Sequence, residues 1–131
     1  MTTEAAPLLL IVDDARTSRM IIRGIVANLR PGWRMVEAAS GDEALQRIGE
    51  EVPAYVSMDV NMPGMSGLET AGRIRIRHPE VNIALCTANV QESVRNSAEK
   101  AGIHFVAKPI TEKTVTTMID YFEQGLRGAV P

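Results

Sequence analysis

Five short apolar runs alternate along this chain with segments of helical periodicity, and most of the runs stop abruptly at a polar residue. The first, Leu8-Leu9-Leu10-Ile11-Val12, ends at Asp13-Asp14. An unbroken apolar run of this length suits a strand covered on both faces of a parallel sheet. Ala54-Tyr55-Val56-Ser57-Met58 likewise ends at Asp59, Val81 to Cys86 runs into Thr87, and Ile103 to Ala107 is closed by Lys108-Pro109. Trp33 to Ala38 is less apolar and reads as an edge strand.

The intervening segments carry helix signals. Ile22, Ile25, Val26 and Leu29 fall at i, i+3, i+4, i+7, and Pro31-Gly32 stops that stripe. Ser40-Gly41-Asp42-Glu43 has capping-box spacing and opens a short helix through Ile48. Ser66-Gly67-Leu68-Glu69 repeats it, with an expected apolar face of Leu68, Ala71 and Ile74 before Pro79. Val90, Val94, Ala98 and Ala101 mark a further helix, with Asn89 as N-cap and Gly102 just past its end. Thr111 can cap a last helix with the stripe Val115, Met118, Ile119 and Phe122. It is expected to end near Gly125, leaving a frayed tail from Leu126 to Pro131. Five strands alternating with five helices specify an α/β fold: a doubly wound parallel sheet with right-handed crossovers. At 131 residues the chain is expected to be one domain over 1–131, with its core at about 7–125.

Composition narrows the function classes. A formal net charge of -2 without a Lys/Arg block argues against nucleic acid or an anionic membrane as partner. A single cysteine, Cys86, cannot form an intramolecular disulfide. No stretch approaches the ~18 apolar residues of a membrane span. Leu8 to Val12 is too short for a signal-peptide core, and no basic segment precedes it. The expected location is cytoplasmic.

The chemistry concentrates at the strand ends. Parallel strands all point one way, so Asp13-Asp14, Asp59, Thr87 and Lys108 converge on one sheet edge, where ligands of such folds bind. Three carboxylates about 5 Å apart repel by about 3 kcal/mol per pair at an effective dielectric of ~20, so some protonate or a cation sits among them. Oxygen ligands without neighbouring His or Cys suit Mg²⁺. A metal, a lysine and a hydroxyl around one carboxylate can neutralise a phosphoryl group developing on it, and Asp is a known nucleophile in aspartyl-phosphate chemistry.

The segments Ile11-Val12-Asp13-Asp14, Met58-Asp59-Val60-Asn61-Met62-Pro63-Gly64-Met65-Ser66-Gly67, Cys86-Thr87-Ala88 and Phe105-Val106-Ala107-Lys108-Pro109 resemble the bacterial two-component response-regulator receiver family. The resemblance covers roughly residues 7 to 125, and the size is similar to that of the stand-alone chemotaxis-type members. It implies a flavodoxin-like strand order of 2-1-3-4-5. It also implies that Asp59 accepts a phosphoryl group from a sensor histidine kinase or histidine phosphotransfer protein. By the same resemblance Asp14 binds Mg²⁺ directly and Asp13 through water, Asp59 joins them, and the Asn61 backbone carbonyl is a further ligand; Mn²⁺ is expected to substitute. Thr87, Ala88 and Lys108 are the implied phosphate-binding residues, Thr87 and Phe105 the switch pair, and Lys108-Pro109 a cis peptide bond. Ser66 stands where the family often has Asp or Glu, and Ala101-Gly102-Ile103-His104 departs from its usual Gly-Ala-Asp/Asn stretch.

Taken singly these residues have plainer readings: turn or capping aspartates, a strand-end threonine, an exposed lysine, a core phenylalanine. Cys86 reads as a small core residue, His78 and His104 as structural or surface groups, and Met62 and Met65 as packing or loop-lining residues. An enzymatic rival, a haloacid-dehalogenase-type phosphatase, needs a second Asp two residues after the nucleophile, where this chain has Asn61. The preferred reading is a signalling domain rather than an enzyme. It acts as a stand-alone switch on a protein target, since only about six residues follow the last predicted helix. The alternatives are a phosphorelay shuttle or phosphate sink, or the receiver fragment of a longer regulator.

Overall fold

A computed structural model describes residues 6–88, 95, 96, 100 and 102–128, with side chains through residue 124. Its strands are β1 (Leu8–Val12), β2 (Arg34–Ala38), β3 (Tyr55–Asp59), β4 (Asn82–Thr87) and β5 (Ile103–Ala107). The helices with described bounds are α1 (Arg16–Leu29), α2 (Gly41–Glu50), α3 (Gly67–Arg77) and α4 (Glu112–Gly128). All five strands are parallel, in the order β2-β1-β3-β4-β5, and β2 is an edge as its weaker apolar pattern predicts. The helix expected over Val90 to Ala101 lies outside the described residues, apart from Arg95, Asn96 and Lys100, which are helical.

Strand alternation divides the core between the two sheet faces. Leu10, Val12, Val56, Met58, Ile83, Leu85, Ile103 and Phe105 pack with Ala44 and Ile48 of α2 and Ala71 and Ile74 of α3. Leu9, Ile11, Tyr55, Ala84, Cys86 and Val106 pack with Ile22 and Val26 of α1 and with Val115, Met118, Ile119 and Phe122 of α4. Both faces are therefore dry, which is why these strands read as unbroken apolar runs. Arg30 and Glu123 close the second layer with two hydrogen bonds of 2.7 and 2.8 Å.

The predicted caps at Ser40, Ser66 and Thr111 form, and the one expected at Asn89 lies outside the described residues. Ser40 Oγ accepts from the Glu43 N–H, Ser66 Oγ from Glu69 and Thr111 Oγ1 from Thr114. Three details differ from the sequence reading. α2 runs to Glu50 rather than Ile48, and α4 to Gly128 rather than Gly125, so the expected frayed tail is helical for its first three residues. Leu68 is exposed, and the inward arc of α3 is Gly67, Thr70, Ala71 and Ile74. Leu68 precedes Ile74 by six residues, roughly 240° around the helix, whereas Gly67 precedes it by two full turns. Thr70 tolerates burial because its hydroxyl donates to Ser66 O at 2.8 Å.

Candidate functional site at the carboxyl edge of the sheet

Register brings the strand ends level. Val12 lies opposite Met58, Asp59 opposite Cys86, and Thr87 opposite Ala107. Asp13, Asp59, Thr87 and Lys108 therefore stand at the ends of four adjacent strands, as the convergence argument requires. Asp13, Asp14 and Asp59 bring one carboxylate oxygen each within 4.8 Å of one another. Lys108 Nζ lies 2.9 Å from Asp59 Oδ1.

Each group is held from the main chain outward. The Asp13 N–H donates to Ala38 O at 3.1 Å, and Asp13 Oδ1 accepts from the Ala15 N–H at 2.8 Å as the chain turns into α1. Val60 N–H donates to Cys86 O, and Gly67 N–H to Val60 O, so the loop after Asp59 folds straight back onto it. Lys108 N–H donates to Thr87 O at 3.0 Å, and the Lys108-Pro109 bond is cis as expected. The Gly67 requirement is steric: a Cβ there would sit 2.2 Å from Asp59 O. The motif carries that glycine, but no sequence signal says which backbone it must approach.

Asp13, Asp59 and Thr87 are buried, Asp14 is exposed and Lys108 is half-buried. Burial raises the Asp13 carboxyl above its ordinary range, against the Ala15 hydrogen bond, and the neighbouring Asp59 charge adds to the rise. Burial alone would depress Lys108, but the hydrogen bond and charge of Asp59 outweigh it, so its ammonium is held more firmly charged than usual. Three close carboxylates, two of them buried, against one ammonium leave a deficit of positive charge. Hard oxygen donors in that arrangement fit a divalent metal ion.

A family model described as the response regulator receiver domain matches residues 9–120. The chain belongs to this family. The receiver domain is 34% identical over 113 residues to the chemotaxis protein CheY of Thermotoga maritima, spanning 85% of this chain and 92% of that protein. It is 36% identical over 94 residues to the transcriptional activator protein ExaE of Pseudomonas putida, spanning 72% of this chain and 44% of that protein. The chemotaxis response regulator CheY4 of Vibrio cholerae superposes with a TM-score of 0.78, at 22% identity, over 89% of this chain and 98% of that one. That last likeness is one of fold, and it matches the flavodoxin-like strand order found here. Receivers of two-component systems are signalling domains, and this chain is one of them.

Several plain readings also hold. Cys86 is buried, 3.8 Å from Ser57 Oγ beneath the site, and burial pushes its thiol up to about 11. His104 stacks on Tyr121 with ring centroids 4.5 Å apart, and Met62 is buried in the layer under α2 and α3. Phe105 is already inside that layer, on the same sheet face as Leu85 beside it. Ala88 and Asn61 are exposed at the rim. Sequence reasoning missed Arg19, which donates to Asp13 O, and its partner Glu37, joined to it at 2.8 Å. Arg19 lies six positions after Asp13 in a helix where arginine is ordinary, so only the fold singles it out. No helix among the described residues is long and apolar enough to cross a membrane.

Proposed function

We propose that Asp59 is the phosphoacceptor of this receiver, and that its phosphorylation changes the domain's affinity for a protein target. The observation that carries the reading is the Lys108 Nζ contact at 2.9 Å on a buried carboxylate that shares a 4.8 Å cluster with two other aspartates. In the transfer, an Asp59 oxygen bonds to phosphorus as the P–N bond of a phosphohistidine breaks, and the departing imidazole keeps the electron pair. Asp13, Asp14, Asp59 and the Asn61 carbonyl would hold Mg²⁺, which supplies charge neutralisation at the phosphoryl oxygens when bound. Lys108 moves its donor from the carboxylate to the phosphoryl group. The Thr87 hydroxyl and the Ala88 N–H donate to the remaining oxygens, the former through a charge-assisted bond. The phosphoryl donor in this reading is a sensor histidine kinase or histidine phosphotransfer protein, and the setting is cytoplasmic. The domain is taken as a single unit over 1–131, with the target on the face of β5, α4 and the helix that the sequence predicts over Val90 to Ala101.

The test is labelling with a small phosphodonor such as acetyl phosphate. Asp59→Asn keeps the side-chain shape and removes the nucleophile, so acid-labile label disappears while the circular dichroism spectrum persists. Label retained in that variant, or undiminished in EDTA, refutes the assignment. A second reading draws on the burial of Phe105, which leaves its ring little further inward to travel. A phosphorelay shuttle or phosphate sink needs no such movement. Chemical-shift mapping with beryllofluoride separates the two: changes reaching residues 102–107 and α4 favour the switch, and changes confined to the loops around Asp14 and Asp59 favour the shuttle.

A further inference from the structure

We infer that Arg19 is a positioning residue for Asp13, and that Glu37 holds its guanidinium in that role. The inference rests on the cation-site reading above. Asp13 follows β1, where the chain leaves the sheet for α1, so its carbonyl has no place in the strand ladder and needs another donor. Arg19 Nη1 provides it, at 2.6 Å from Asp13 O. The N–H of the same residue is fixed by Ala38 O and its carboxylate by the Ala15 N–H. With Arg19 in place, β2, the residue that caps α1 and the Arg19 side chain fix Asp13 from three sides.

Glu37 explains how a cation can stand so close without entering the aspartate cluster. A guanidinium is a rigid fork that prefers a carboxylate to a neutral carbonyl. Left unsatisfied beside Asp13 and Asp14, it would pair with them and displace the metal. Glu37 Oε1 engages Arg19 Nε at 2.8 Å from the edge strand β2, outside the cluster. One edge of the fork is thereby occupied and an arm remains for the Asp13 carbonyl. The Arg19 side chain is 15% exposed, whereas Arg23, the second arginine on Glu37, is 46% exposed and 3.3 Å away. Arg23 donates to Glu37 Oε2 rather than to the Asp13 carbonyl and serves as the internal control.

At Arg19 a positioning role and a simple charge effect have opposite signs. Removing a nearby positive charge alone tightens divalent-cation binding, whereas removing a support of the ligand backbone weakens it. The experiment is calorimetric titration of the full chain with Mg²⁺, repeated with Mn²⁺ followed by its paramagnetic resonance signal. Arg19→Met is expected to raise the Mg²⁺ dissociation constant about tenfold, the lower end for outer-shell partners of metal ligands. Glu37→Gln is expected to raise it as well, because the released guanidinium competes for the aspartates; Arg23→Met leaves it unchanged. If Arg19→Met fails to fold, Arg19→Lys keeps the charge, loses the fork and is expected to weaken binding. Equal or tighter Mg²⁺ binding in the folded Arg19 variant, or an unchanged constant in Glu37→Gln, overturns the inference while the wild type still binds. A wild-type chain that binds neither ion overturns the cation-site reading, and this inference with it.

Discussion

Replacing Gly67 with alanine tests how tightly the loop after Asp59 is folded. The new Cβ would lie 2.2 Å from Asp59 O, 2.9 Å from Val60 Cα and 3.0 Å from Asp59 C, all backbone atoms that cannot rotate away. Bringing the shortest contact out to ordinary van der Waals distance requires α3 and the Asp59 backbone to part by about 1 Å. Overpacking of this kind costs about 1–3 kcal/mol. For a domain of this size that lowers the melting temperature by about 4–11 °C. The same parting shifts the Asp59 carboxylate against Lys108 and its aspartate neighbours, and a misplacement of about 1 Å can cost about 100-fold in rate. Differential scanning calorimetry reads the first quantity, and the rate of labelling by acetyl phosphate with Mg²⁺ reads the second. Gly24→Ala in the middle of α1 is the control. Its Cβ would meet nothing within 4 Å, so stability should rise by up to about 1 kcal/mol. A Gly67→Ala protein that melts within 1 °C of wild type, a tolerance of about 0.3 kcal/mol, and labels at the wild-type rate would refute the steric argument.

Asp13→Asn keeps the Ala15 hydrogen bond but removes a carboxylate whose ionisation burial opposes. The metal-free protein should therefore melt several degrees higher than wild type while losing the stabilisation that added Mg²⁺ gives; an unchanged Mg²⁺-dependent shift in calorimetry would count against Asp13 as part of the site. Cys86 gives a pH prediction. Its thiol is raised by burial from 9.0 to about 11, so in that interval the native state binds more protons than the unfolded chain. The stability tied to this group is complete below about pH 9 and declines as pH rises toward 11. Melting curves of wild type and Cys86→Ala across pH 8–11 should converge as pH rises, and parallel curves would contradict the burial argument.

How much was legible follows from what each signal depends on. Strand runs and their polar ends were readable because both faces of this sheet are covered, and the Val115, Met118, Ile119 and Phe122 stripe because α4 buries one side only. The edge position of β2 showed in its mixed pattern. The carboxyl-edge cluster was readable because parallel strands convert residues far apart in sequence into neighbours on one edge. The α3 face was misread at Leu68, where residue type pointed inward but the inward arc, set by Gly67 against Asp59 O, rotates that leucine to the surface.

The sequence by itself determined the order of the elements, the aspartates, threonine and lysine at the strand ends, and the caps that start α2 and α3. These depend on local chemistry and periodicity, which a chain carries wherever it goes. Only the tertiary structure decided the distances: Lys108 at 2.9 Å from Asp59, three carboxylates within 4.8 Å, and Arg19 reaching both Asp13 and Glu37. It also decided that Phe105 lies inside the layer under α2 and α3. Those facts depend on strand register and on how helices roll against the sheet, which are set by the packing of many side chains at once.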